Sequence, residues 1–180
     1  MEAEVSELGW MRQDYNARGL IQLCRDLPSG LDGVEVGCYE GDSTQIFINS
    51  GKFRRLFSVD PYIDGISGEN YPNPLADAKK KFKAVTEGHH QVWHLETTSQ
   101  EASKLLYGLQ FDFVYLDGDH RYESVRSDIM HWMPLVKKGG YLCGHDYESS
   151  NHGGVIQAVN ELLGPPERVY EDHSWVHRSR

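Results

Sequence analysis

Phe111-Asp112-Phe113-Val114-Tyr115-Leu116-Asp117-Gly118-Asp119-His120 is the stretch on which the reading of this chain turns. Phe111, Phe113, Val114, Tyr115 and Leu116 form a nearly continuous apolar, aromatic and β-branched run. That pattern predicts a strand buried on both faces, as in the middle of a parallel sheet. The run stops at Asp117, where Gly118 allows a tight turn and three ionisable side chains crowd the strand tip. Ligands of open α/β sheets bind outside the carboxyl ends of the strands. The same residues also suit a plain polar turn, with Asp117 or Asp119 capping the helix that starts near Tyr122.

Working outward, the pattern repeats on both sides. Asp14 to Leu27 reads as a helix that Pro28-Ser29-Gly30 ends. Gly33 to Gly37 and Arg55 to Val59 read as short buried strands, separated by a helix over Asp42 to Asn49 that Ser50-Gly51 closes. Residues 61 to 74 carry several glycines and prolines and form a long irregular insert, either a lid or substrate wall or a flexible loop. A helix over Leu75 to Thr86, a strand over Gln91 to Leu95 and a helix over Ser99 to Leu106 lead to the opening stretch. After it come a helix over Tyr122 to Leu135, with Val125, Ile129, Trp132 and Met133 on its apolar side, and a turn at Gly139-Gly140. A strand over Tyr141 to Cys143 and a helix over Gly153 to Leu163 follow, then a terminal hairpin of Arg168 to Tyr170 and Trp175 to His177. Strands alternating with helices call for a mostly parallel sheet covered on both faces, here with an antiparallel element added at one edge.

The 180 residues suit one domain, with residues 1–28 as lead-in and first helix. A net charge of −9 argues against a broad nucleic-acid footprint. The lysines at 79–81 and 83 read as a solvated helix face. Cys24, Cys38 and Cys143 lack metal-type spacing and read as reduced thiols of a cytoplasmic protein. No apolar run is long enough to span a membrane, and the acidic start MEAEVSELG does not suit a signal or transit peptide.

Three strand ends carry the chemistry. In Glu35-Val36-Gly37-Cys38-Tyr39-Glu40-Gly41-Asp42-Ser43, Gly37 and Gly41 let the backbone turn and a ligand approach. The spacing lacks the G-x-G-x-x-G of dinucleotide binding, which argues against a nicotinamide-dependent oxidoreductase. Glu35 would suit a cationic ligand. Asp60, at the next strand tip, can accept ribose hydroxyls. The third end is Asp117 to His120.

VEVGCYEGDST, SVDPY and FDFVYLDGDHRYESVRSDIMHWMPLVKKGGYLCGHDY together resemble the class I S-adenosylmethionine-dependent methyltransferases. The similarity covers roughly residues 30–163 and is nearest to a small branch with a DGDH turn and an HDY-type fifth strand. It implies a Rossmann-like seven-stranded sheet with a reversed last strand. It implies that Glu35, Gly37, Cys38, Tyr39, Gly41 and Ser43 surround the methionine part of the donor. Asp60 would meet its ribose, Ser99 its adenine and Asp117 its sulfonium. Metal-dependent sugar and catechol O-methyltransferases of this family hold a divalent ion at positions matching Asp117, His145 and Asp146. His145 departs from their pattern, since imidazole is a poor partner for Mg²⁺ but acceptable to Mn²⁺, Fe²⁺ or Zn²⁺. The metal differs, or His145 points elsewhere, or no metal binds.

His120 matches a proposed base of the sugar enzymes, and a neutral imidazole could deprotonate an acceptor hydroxyl. Tyr147 and His152 are candidates for an acceptor pocket. The expected activity is O-methylation of a small polar acceptor such as a sugar hydroxyl. A binding module that keeps the donor site without turnover is the competing class. A homodimer, or the 61–74 insert, would complete the acceptor pocket.

Overall fold

The structure, a computed structural model, describes residues 17–65, 73–148 and 153–180. His152, residues 66–72 of the expected lid and the start of the first expected helix lie outside them. Five parallel strands come first: β1 (Leu31–Val36), β2 (Phe53–Val59), β3 (Val92–Leu95), β4 (Phe111–Leu116) and β5 (Val136–Gly144). Helices α1 (Arg18–Asp26), α2 (Asp42–Ser50), α3 (Leu75–Thr86), α4 (Ser99–Leu105), α5 (Tyr122–Trp132) and α6 (Gly153–Leu162) flank them. The chain ends in β6 (Arg168–Val169) and β7 (Trp175–Arg178).

The seven strands lie in the order β3-β2-β1-β4-β5-β7-β6. β7 runs antiparallel to both β5 and β6. The reversed strand is therefore inserted inside the sheet, and β6 takes the edge. Alternation along β4 serves both faces, as a doubly covered strand requires. Val114 and Leu116 join a core with α4, α5 and α6, including Ala102, Ile129, Trp132 and Val159. Phe113 and Tyr115 join the opposite core with α1 and α2, including Leu20, Leu23 and Phe47. Phe47 meets Phe113 and Tyr115 edge-on, with centroids 5.6 and 5.3 Å away.

Two expectations need correction. Gly139-Gly140 lies within β5 and does not precede it. The β4–β5 register slips between Phe111, opposite Val136, and Phe113, opposite Tyr141. The extra residues form an irregularity that Gly139 absorbs with φ 76°. Met133 belongs to a 3₁₀ turn, Met133–Leu135, because Pro134 cannot donate the next helical bond. Among the described residues, no helix is long and apolar enough to cross a membrane.

Candidate active site

A cavity of about 650 Å³ opens at the carboxyl ends of the strands. Its size suits a small ligand. Gly37 makes the shape of its floor possible. The residue has φ 85°, and a Cβ there would lie 2.1 Å from the Asp117 carbonyl oxygen. Only glycine lets the β1 loop press against the tip of β4. The Asp117 amide donates to the Val36 carbonyl at 2.8 Å, fixing the two tips together.

Gly37, Cys38, Tyr39, Ser43, Asp60, Ser99, Asp117, His120, His145 and Asp146 all border this cavity. Asp60 is partly committed. One carboxylate oxygen accepts the Tyr39 amide and the other the Tyr62 amide, both at 2.9 Å. A backbone hydrogen bond from Cys38 also reaches this carboxylate, which keeps acceptor capacity for a ligand. Burial raises this carboxyl above its ordinary value.

Glu35 and Gly41, expected to flank a ligand, stand behind the residues that border the cavity. Glu35 is fully buried beneath the loop. Its carboxylate accepts Ser43 Oγ at 2.5 Å, Thr44 Oγ1 at 2.6 Å and Ser58 Oγ at 3.0 Å. Burial pushes it up to about 7, against the pull of the three hydroxyls. Gly41, with φ 92°, begins α2. A Cβ there would face Val85 and Phe82 of α3. Both residues build the loop from behind. Tyr147 also points elsewhere, with its hydroxyl donating to Asn160 at 2.9 Å.

At the tips of β4 and β5, two imidazoles and two carboxylates converge. His120 Nε2 lies 2.9 Å from Asp146 Oδ2 and 3.7 Å from Asp117 Oδ1. His145 Nδ1 lies 3.0 Å from Asp146 Oδ2 and 4.0 Å from Asp117 Oδ1. Asp146 is held there with a positive φ of 62°. Burial alone would disfavour charge on both rings, but the two carboxylates outweigh it. His120 is raised to about 11 and His145 to about 9. Burial would raise Asp146, yet its bonds to both rings hold it well below the usual range. The two carboxylates thus favour the protonated form of His120 in this arrangement, which works against a role as base.

The metal-capable set also differs from the expected one. Asp117, His120 and Asp146 can each offer a ligand atom, all within 4.8 Å of one another. His145, expected in this set, lies beside it with Nδ1 3.0 Å from Asp146 Oδ2. His145 Nε2 is buried without a hydrogen-bond partner among the described residues. Asp119, three residues before α5, shapes the turn by accepting the Arg121 amide at 3.0 Å and Ser124 Oγ at 2.6 Å.

Sequence reasoning missed the far wall, where Thr98, Gln100, Ser127 and Asp128 join Ser99. Ser99 Oγ donates to Asp128 Oδ1 at 2.5 Å, and Gln100 Nε2 donates to Ser127 Oγ at 2.8 Å. A signal was present. Asp128 lies three residues after Val125 and four before Trp132, on the apolar stripe of α5, where a carboxylate is out of place.

A sequence profile described as "Methyltransferase domain" matches residues 34–147. An uncharacterized protein of Acanthamoeba polyphaga mimivirus is 29% identical over 135 residues, covering 72% of this chain. The chain spans 58% of that relative's length. Among solved structures, the TDP-rhamnose 3′-O-methyltransferase CalS11 of calicheamicin biosynthesis superposes with a TM-score of 0.65 at 17% identity. The match covers 98% of this chain and 85% of CalS11. The N-methyltransferase NodS from Bradyrhizobium japonicum WM9 gives 0.57 at 15% identity, covering 87% of this chain and 90% of NodS. The chain therefore belongs to the methyltransferase-domain family and carries the Rossmann-like fold of class I S-adenosylmethionine-dependent methyltransferases.

Proposed function

We propose that this chain is an S-adenosylmethionine-dependent methyltransferase acting on an oxygen of a small polar acceptor such as a sugar hydroxyl. One observation carries the reading. Among the described residues, seven carboxylates, those of Glu40, Asp42, Asp60, Asp117, Asp119, Asp128 and Asp146, border one cavity whose cationic groups are Arg121 and the imidazoles of His120 and His145, so carboxylates outnumber them. Such a hollow favours a cationic ligand and disfavours the pyrophosphate of a dinucleotide. Bound there, the donor supplies an electrophilic methyl group on a positively charged sulfur.

The residues would divide the work. The Gly37 loop gives backbone access close to the ligand, Asp60 offers lone pairs to the ribose, and Asp117 sits where it can face the sulfonium. Alignment of the acceptor oxygen with the methyl carbon is the main contribution the protein can make. The cytoplasmic setting and a pocket completed by a second copy remain part of this proposal.

Asp117, His120 and Asp146 fit a divalent ion by the closeness of their ligand atoms. Two carboxylates with one imidazole suit Mn²⁺ better than Mg²⁺. A bound ion would lower the pKa of an acceptor hydroxyl. His120 in that arrangement is a ligand, and a ligated nitrogen cannot also take up a proton. Its assignment as general base would apply only with no metal bound and with the ring first freed of the proton that Asp117 and Asp146 favour.

Calorimetric titration with S-adenosylhomocysteine tests the reading. Saturable heat at one ligand per chain is expected. Absence of both heat and thermal shift at millimolar ligand overturns it.

A further inference from the structure

β3 closes one edge of the sheet, with β2 as its one neighbour among the described residues. The pairing with β2 fixes which backbone groups point outward. The Gln91 and Leu95 carbonyls accept the Leu56 and Asp60 amides at 2.9 and 3.2 Å, so the odd-numbered residues face β2. Peptide groups alternate along a strand, so His94 turns both its N–H and its C=O to the outside. Native sheets blunt such an edge with lysine, proline, a bulge or a cover. Val92-Trp93-His94-Leu95 carries neither lysine nor proline, and only its length of 4 residues protects it.

The flank beside this edge is apolar. Trp93 packs on Phe57, with ring centroids 6.1 Å apart, and is still 55% exposed. α4 turns Ser99 and Gln100 towards α5, through their bonds to Asp128 and Ser127. At about 100° per residue, Leu105 then stands on the opposite side of that helix, towards β3. It is 71% exposed. Tyr107, 84% exposed, and Leu109 follow in the turn that leads into β4. Two rings and two leucines leave on the order of 400 Å² of apolar surface there. Single exposed apolar residues are ordinary, but a clustered face beside a bare edge marks a contact.

We propose that the β3 edge seats a second copy of this chain, joined antiparallel about a two-fold axis at His94, so that the two sheets run on as one. Self-complementarity identifies the occupant. In such a pair His94 meets the partner's His94, and the two exchange both N–H···O=C bonds. Trp93 of each copy then stands opposite the partner's Leu95, an apolar cross-strand pair on the face that is open. A two-fold contact uses up both edges and closes, leaving none for further addition. Two apolar faces of this size, with the strand backbones between them, reach the roughly 1,000 Å² that a specific contact needs. Trp93, His94, Leu105, Tyr107 and Leu109 all lie off the cavity lining, so the contact is independent of the donor reading.

Analytical sedimentation from about 1 to about 100 µM tests it. The mass of the wild-type protein should rise from one copy towards two. Trp93→Lys puts a charge on the edge and should weaken association at least about tenfold, with a urea transition showing that the variant is folded. His94→Cys reads the register. Hydrogen-bonded antiparallel partners stand about 5.5 Å apart at Cα, within the reach of a disulfide. Cys24, Cys38 and Cys143 are all buried. Mild oxidation should therefore join two copies through position 94. Val92→Cys, which this register sets opposite the partner's Glu96, should stay single. A one-copy mass at every concentration overturns the inference. So does a dimer that gives no crosslink through position 94, or one that folded Trp93→Lys forms as tightly as the wild type.

Discussion

Replacing Glu35 by glutamine should change how stability depends on pH, and by a calculable amount. Glu35 is wholly buried and hydrogen-bonded by Ser43, Thr44 and Ser58. Burial lifts its pKa from an ordinary 4.5 to about 7. Between these values the folded chain keeps the proton and the unfolded chain releases it. The folded state then binds more protons, so stability falls as pH rises through this window. The gap corresponds to roughly 3 kcal/mol, an upper bound that relaxation around the carboxylate will reduce. Above about pH 7 both states are ionised and the cost is constant. Glutamine does not titrate, so Glu35→Gln lacks the penalty.

Urea unfolding of both proteins at intervals from about pH 4.5 to 8 isolates the effect, because other titrating groups cancel in the difference. Wild type should lose up to about 3 kcal/mol relative to the variant as pH rises. A stability difference that stays constant across the window refutes the claim that Glu35 is a buried carboxyl with a raised pKa.

Gly37→Ala should weaken S-adenosylhomocysteine binding by at least about tenfold and cost about 1–3 kcal/mol of stability. A Cβ would collide with the Asp117 carbonyl at 2.1 Å in a backbone of φ 85°. Gly51→Ala is the control, since its φ is 63° but a Cβ meets nothing within 4 Å. It should lose stability and leave binding unchanged; equal binding losses in both variants would contradict the proposed contact between the β1 and β4 tips. Mn²⁺ affinity, followed by calorimetry on the resting protein, should fall at least about tenfold in His120→Ala. Unchanged affinity removes His120 from the ligand set.

Much of the fold was legible because local signals agreed. The α3 limits, Leu75–Thr86, and the β4 limits, Phe111–Leu116, coincide with the pattern of the sequence. Phe111 to Leu116 had no polar face to offer solvent, and Gly118 marked where it had to stop. Gly139-Gly140 misled because glycines signal both turns and strand irregularities, and only the pairing of β5 with β4 decides between them. The strand tips gave Gly37, Asp60, Asp117 and Asp146 directly.

What stayed hidden depended on side-chain direction. Glu35 alternates along β1 and is hidden behind Ser43, Thr44 and Ser58, which sequence spacing does not reveal. His120 and His145 both belong to the cluster. That both rings meet Asp146 was set by how the loops after β4 and β5 fold against each other. Asp128 was legible in principle as a charge on an apolar stripe. Its place on the cavity wall came from the packing of α4 against α5.

The central claim is that acidic groups from β2, β4 and β5 form one seat for a sulfonium donor. A crystal structure grown with saturating S-adenosylhomocysteine tests it most directly. The ligand should lie over Gly37, with its ribose on Asp60, its sulfur nearest Asp117 and its base against Ser99. Ligand density elsewhere, or this cavity filled only by water, would contradict the account.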